Sequence, residues 1–312
     1  MKQRVERVLI VGLDGATLDL VQPWVRQGHL PVLADLMQRG SYGPLRSVYP
    51  VLSSAAWSSF MTGLNPGKHG IYDFVIRDPK TYQLRPVSRS QMHGRSLWRM
   101  LSDHGLKVCV LNVPMTYPPE PVNGRLVSGL GTPDFQIFTY PEQLGEELLR
   151  SGYRVNRRVF GQEEGEQEAF LDDTYDISEH LTSSALRLMG EQPWDLFAIV
   201  YRDTDEVAHH FWSYMDVSHP EHDPELAESY GEALLECYQR LDRALGDLLQ
   251  AAGPNCTVFV VSDHGTGPLY KDVFLNEWLH QQGFLAPASA PSGLRAFLTR
   301  LGLTRSKVFR IM

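Results

Sequence analysis

The stretch VFVVSDHG, residues 258–265, decides the fold. Four residues of buried type run up to Ser262 and then stop on an acid and an imidazole, Asp263 and His264. Fully buried parallel strands read as short Val/Ile/Leu/Phe runs, and in open α/β sheets ligands bind outside the carboxyl ends of such strands. Asp263 and His264 are therefore expected on a rim. Two other stretches repeat the pattern: VLIVGLDG (8–15) stops at Asp14, and WDLFAIVYRDTDEVAHH (194–210) carries Leu196 to Tyr201 and then reaches Asp203, Asp205, His209 and His210. One Asp after one strand is ordinarily a helix cap or a turn residue. Three such strands, two of them with His close by, point to a single polyvalent metal site.

Outward from these runs, apolar strands alternate with helical patterns. The strands fall at 7–13, 107–113, 194–201 and 256–262, and the helices near 17–26, 31–39, 54–62, 95–104, 178–190 and 225–251. Such alternation predicts an α/β fold, a mostly parallel central sheet sandwiched by helices. The last helix is the plainest: Leu234, Leu235, Tyr238, Leu241, Leu245, Leu248 and Leu249 recur at helical spacing, and Gly253-Pro254 stops it. The acidic stretch 161–176 reads as a solvated face, and NVPMTYPP (112–119) and VSGLGTP (127–133) read as ordered loops near the rim.

The chain has 312 residues, 43% hydrophobic and 21% charged, enough for one large α/β core. Its net charge of −8 argues against a nucleic-acid binder, which needs a concentrated basic face. A small phosphorylated substrate fits if metal ions provide the positive charge. The widely spaced Cys109, Cys237 and Cys256 read as reduced packing residues, which predicts a cytoplasmic protein. The N-terminus has only about six apolar residues before Asp14, short of a signal sequence, and no run reaches the length of a transmembrane segment. Residues 291–312 interleave Arg295, Arg300, Arg305, Lys307 and Arg310 with Phe297, Leu298, Leu301, Val308 and Ile311. That is a basic amphipathic helical segment, suited to packing on a partner or on another part of a longer protein before an anionic membrane.

A metal site needs a reacting group, and YPVLSSAAWSSFMTGLNPGKHG (49–70) offers one. Pro50 enforces an extended approach, Ser53 or Ser54 can cap a short helix, and Gly63 with Pro66 ends it. A serine there faces the positive end of the helix dipole, where free N–H groups favour a phosphate. Ordinarily such a serine is only a cap. Beside a divalent cation its hydroxyl becomes a nucleophile at neutral pH.

Taken in order, LDG after the first strand, SSAAW with TG, P and HG behind it, YRDTDEVAHHFW and SDHG resemble the type I phosphodiesterase/nucleotide pyrophosphatase family of the alkaline phosphatase superfamily, over most of the chain. The resemblance implies hydrolysis of phosphodiester or pyrophosphate bonds at two divalent ions, zinc by the Asp/His/Ser donor set, with manganese as the second choice. It makes Asp14, Ser53, Asp263 and His264 the ligands of one ion and Ser53 the nucleophile, forming a phosphoserine intermediate in a double displacement. Asp205 and His209, at i and i+4, become ligands of the other. Ser53 is preferred to Ser54 because the family's nucleophile lies nine positions before the Thr of TG, here Thr62. Ala56 stands where many relatives have an Asn that holds the phosphoryl oxygen, which puts nucleotide specificity in doubt. Asp203 and His210 fall beside the ligands but out of register, the first a supporting carboxylate and the second a packing or orienting group.

The resembled family also takes a third ligand for its second ion from a His well beyond DHG, and only His280 follows here, in the helical context LNEWLHQQG. The expectation is a catalytic domain over 1–290 that is truncated or split, with its sheet incomplete at the C-terminus and residues 291–312 beginning an inserted or missing region. An open sheet edge of that kind favours self-association or a complementary chain. The same short motifs are compatible with a phosphomonoesterase or phosphomutase of the superfamily, and with a non-catalytic relative acting through binding.

Overall fold

The computed structural model describes residues 7–134, 136–161 and 165–286. They belong to two compact units, one ending at Pro268 and one beginning at Leu269. The first opens with β1 (Arg7–Leu13), α1 (Leu18–Arg26), α2 (Pro31–Arg39), α3 (Ser53–Thr62) and α4 (Pro66–His69). A hairpin of β2 (Val75–Arg77) and β3 (Leu84–Pro86) follows, then α5 (Leu97–Asp103), β4 (Val108–Val113), β5 (Gly124–Ser128), β6 (Thr139–Tyr140) and α6 (Gln143–Arg150). The rest is α7 (Gln167–Glu191), β7 (Leu196–Tyr201), α8 (Asp203–Met215), α9 (Pro224–Tyr230), α10 (Ala233–Ala252) and β8 (Cys256–Val261). The second unit contains α11 (Leu275–Gln281). The amphipathic segment expected at 291–312 lies outside the described residues.

The strands form one sheet in the order β6-β5-β4-β7-β1-β8, parallel except for the antiparallel β5–β6 pair. This is the expected α/β architecture. Alternate residues of each strand serve opposite faces. Leu9, Val11 and Leu13 of β1 join Phe197, Ile199 and Tyr201 of β7 in a core covered by α1, α2, α7, α8 and α10. Ile10, Val110, Ala198 and Val200 face the other way, against Trp57 and Met61 of α3 and Trp98 of α5. Burial on both sides is why β4 and β7 read as continuous apolar runs.

Several elements differ from the sequence reading. The stretch 127–133 contains the last residues of β5, a strand that opens on Gly124 and Arg125 and so lacks an apolar run. The acidic stretch from 161 is in part the first turns of α7, which begins at Gln167 rather than near 178 and buries Phe170, Thr174 and Tyr175. The helix expected over 225–251 is two, α9 and α10, parted at Gly231–Glu232. Finally, β8 is only half-buried along its length, with Phe259 50% exposed, because it is the edge of the sheet among the described residues.

Candidate active site

Register brings the three acid-bearing strand ends to one level. Gly12 of β1 pairs with Val200 of β7 on one side and with Val261 of β8 on the other. Asp14 follows at once, Asp205 lies in the first turn of α8, and Asp263 and His264 follow β8. Gly15 sits between the acids in a left-handed conformation, φ +69°, and its N–H donates to Asp263 Oδ1 at 3.2 Å. A Cβ at that position would lie 2.7 Å from Asp205 Oδ1, so only glycine lets β1 turn here without displacing the carboxylate. Ser47 closes the loop after β8 by donating to the Asp263 carbonyl at 2.6 Å.

Ser53 does not cap its helix. The N-cap of α3 is Leu52, with no side-chain cap, and Ser53 is already the first helical residue. Its hydroxyl donates instead to Asp14 Oδ1 at 3.1 Å and lies 3.0 Å from His264 Nε2. The capping role expected for Ser53 or Ser54 is therefore absent, since Ser54 is fully buried and its Oγ has no partner. What distinguishes the two serines is direction: Ser53 points at the acids and Ser54 into the core.

His264 is the centre of the cluster. Its Nδ1 faces the Gly265 carbonyl at 3.0 Å, and because a carbonyl only accepts, Nδ1 carries a proton and Nε2 is the atom turned to the site. Nε2 lies 3.5 Å from Asp14 Oδ1, 3.5 Å from Asp263 Oδ2 and 3.9 Å from Asp205 Oδ1. Three carboxylates thus face at most one imidazolium. Burial, and then the neighbouring Asp263 and Asp205, push the Asp14 carboxyl well above the usual range; burial also raises Asp263, against the pull of His264. Asp263 Oδ2 is buried with no hydrogen-bond partner. An orphaned buried oxygen beside excess negative charge is the signature of a cation site. Among the described residues, ligand atoms of Asp14, Asp263 and His264 all lie within 4.8 Å of one another, and with the Ser53 hydroxyl they fit one divalent ion.

The second pair is looser. His209 Nε2 lies 3.4 Å from Asp205 Oδ2, one helical turn apart, and the hydrogen bond to Asp205 raises the His209 pKa above its ordinary value. Its side chain is 70% exposed. Asp203 is buried, its carboxyl pushed up to about 6 by burial against the lowering effect of the Ser178 hydroxyl on α7. His210 is a packing residue, its ring 4.2 Å from that of Phe170 and its pKa pushed down to about 4, mainly by burial. His280 lies on α11 in the second unit, its Nδ1 donating to the Leu285 carbonyl at 2.9 Å. Two groups at the site had escaped the sequence reading: the Trp57 indole donates to Asp14 Oδ2 at 2.8 Å, and Thr204 donates to the Asp14 carbonyl. Only the i, i+4 spacing of Ser53 and Trp57 could have hinted at the first.

The description Type I phosphodiesterase / nucleotide pyrophosphatase matches residues 8–307. The chain belongs to that family. Within this phosphodiesterase family it is 23% identical over 282 residues to mouse ectonucleotide pyrophosphatase/phosphodiesterase family member 1, covering 87% of this chain and 25% of the relative. The human protein of that name is 32% identical over 106 residues, covering 32% of this chain and 11% of its own length. In structure it is similar to phosphonoacetate hydrolase from Sinorhizobium meliloti 1021 (TM-score 0.60, 17% identity, 90% of this chain and 63% of that one). It is also similar to murine ectonucleotide pyrophosphatase/phosphodiesterase 5 (TM-score 0.52, 15% identity, 83% and 57%). The chain spans a quarter or less of these curated relatives and less than two thirds of these solved neighbours.

Proposed function

We propose that this phosphodiesterase-family chain is a metal-dependent hydrolase of phosphodiester or pyrophosphate bonds in a small phosphorylated substrate, with Ser53 as nucleophile. The observation that carries the reading is the Ser53 hydroxyl at the start of an uncapped helix, held between Asp14 Oδ1 at 3.1 Å and His264 Nε2 at 3.0 Å. Asp14, Ser53, Asp263 and His264 would hold one divalent ion, and Asp205 with His209 a second, zinc by donor type and manganese as the alternative. Bound there, the ions would lower the hydroxyl pKa and offset charge on the leaving oxygen. Ser53, its hydroxyl proton released to solvent water, would form its Oγ–P bond as the bond from phosphorus to the leaving oxygen breaks in line. The N–H groups of the uncapped first turn of α3 would be available to the phosphoryl oxygens, and water would then cleave the phosphoserine, returning a proton to Ser53 Oγ.

Three features support the companion expectations. The buried thiols Cys109 and Cys237 are free, which suits a cytoplasmic protein, and no described helix is long and apolar enough to cross a membrane. Acidic charge at the site and a net −8 disfavour nucleic acid as partner. The half-buried edge strand β8 is flanked by two clefts. One, of about 750 Å³, is lined by Val21, Leu36, Val258 and Val260, and the other, of about 450 Å³, by Ile10, Phe60, Phe259 and Val261. Such an edge favours pairing with a second copy or a complementary chain.

The test is metal content of protein purified without chelator, followed by turnover of bis-p-nitrophenyl phosphate and of p-nitrophenyl phosphate. Bound zinc with preference for the diester is the expected result. Preference for the monoester would make the chain a phosphomonoesterase, and metal-free inert protein would leave a binding role.

A further inference from the structure

We infer that Trp57 is a positioning residue for Asp14, fixing which carboxylate oxygen is offered to the ion. The inference rests on the proposed ion site and goes beyond it. Trp57 lies one helical turn after Ser53 on α3, so the two side chains share a face. Between them they engage both oxygens of one carboxylate: the indole N–H donates to Oδ2 at 2.8 Å, and the Ser53 hydroxyl to Oδ1 at 3.1 Å. Oδ1 is also the oxygen 3.5 Å from His264 Nε2. With Oδ2 held by the indole, Asp14 presents Oδ1 alone toward the nucleophile and the histidine.

The surroundings are shaped for that indole. Trp57 is 1% exposed and packs edge-to-face on Phe60, ring centroids 5.4 Å apart. Beneath it, Gly12 of β1 has no side chain; a Cβ there would lie 2.5 Å from Trp57 Cη2 and 3.2 Å from Cζ2. The indole N–H is a donor only and does not titrate, so it neither competes for the ion nor changes with pH. Groups that orient ligands in this way typically change metal affinity by about 10–100-fold when removed.

The test uses the full chain, stripped of metal and titrated with cobalt(II) alone, whose visible spectrum reports ligand geometry. Trp57→Phe keeps the ring packing and removes the donor. The expected result is a roughly 10–100-fold loss of cobalt affinity at the tight site with an altered spectrum. Trp57→3-benzothienylalanine, which preserves ring shape and replaces N–H by sulfur, should reproduce it, and serves if the Phe variant folds poorly. A cycle with Asp14→Asn isolates the route: once Asp14 is changed, losing the indole N–H should cost no further affinity. Equal losses in both backgrounds would mean that Trp57 acts through packing, and unchanged affinity in the Trp57 variants would also overturn the inference. If Asp14→Asn itself leaves cobalt binding intact, it is the ion-site reading that fails.

Discussion

Replacing Gly15 by alanine tests the geometry of the site without replacing any of its acids or histidines. Two costs arise. The left-handed conformation at φ +69° carries a penalty of about 1–2 kcal/mol for an L-residue. The new Cβ would also meet Asp205, 2.7 Å from Oδ1, 2.8 Å from Cβ and 3.0 Å from Cα. Two of those atoms belong to the base of the side chain and the helix backbone, so a rotamer change cannot relieve the contact, and overpacking of this kind adds roughly 1–3 kcal/mol. Gly28→Ala is the internal control: it too has positive φ, +82°, but nothing lies within 4 Å of its Cβ position. Urea unfolding of the metal-free protein should therefore show Gly15→Ala less stable than Gly28→Ala by about 1–3 kcal/mol, the overpacking alone. In the metal-loaded protein, Gly15→Ala should weaken binding at the second site proposed for Asp205 and His209, while Gly28→Ala should leave metal content unchanged. Equal destabilisation of the two variants with unchanged metal binding would show that Asp205 is not packed against the β1 turn.

Ser53→Ala should abolish diester turnover. Ser54→Ala should retain it and cost little stability, since its buried Oγ has no partner to lose; a dead Ser54 variant beside an active Ser53 variant would move the nucleophile by one. Asp263→Asn and Asp205→Asn should each lower bound zinc, the first at the tight site and the second at the exposed one, and atomic absorption showing no change in either would make both acids structural. His69 is buried, with Nδ1 accepting from the Ile71 N–H at 3.1 Å and Nε2 2.9 Å from Ser59 Oγ, and burial lowers its pKa from the ordinary 6.5. The unfolded chain thus binds the proton more readily than the folded one. His69's contribution to stability is complete above about pH 6.5 and falls on acidification, at no more than about 1.4 kcal/mol per pH unit. Unfolding curves for wild type and His69→Gln should converge as pH falls from 7.5 to 5.5; a constant difference would count against the neutral buried imidazole.

The central strands were legible because burial on both faces leaves a continuous apolar run, and the acids at the ends of β1, β7 and β8 interrupt it. The sheet's other edge was not. Strand β5 begins at Gly124-Arg125 and β6 has two residues, so neither gives a period to read. In α7, Thr174 occupies a buried position and Asp172, Asp173 and Asp176 crowd the same turns, which weakens the helical pattern upstream of 178. Within the site, residue types and spacing brought Asp14, Ser53, Asp263 and His264 forward, and these converge within hydrogen-bonding and ion-pairing distances. The capping role failed because N-cap and first helical position differ by one residue, which composition cannot resolve. Trp57 was hidden for another reason: its partner, Asp14, is 43 residues away in the chain.

The position of β1 has a consequence for how the protein is made. Although it precedes the other described strands in the chain, it lies inside the sheet, with β7 on one side and the still later β8 on the other. Gly15 and Asp263, joined by a hydrogen bond, are separated by 248 positions. At about 5–20 residues per second, translation takes roughly 12–50 s to cover that interval. A nascent chain therefore carries Asp14 and Ser53 through most of its elongation without the residues that would close a cage around a cation. An ion at the proposed site would find its full ligand set only after β8 has been made and paired, and so would consolidate a sheet that already exists rather than template its assembly.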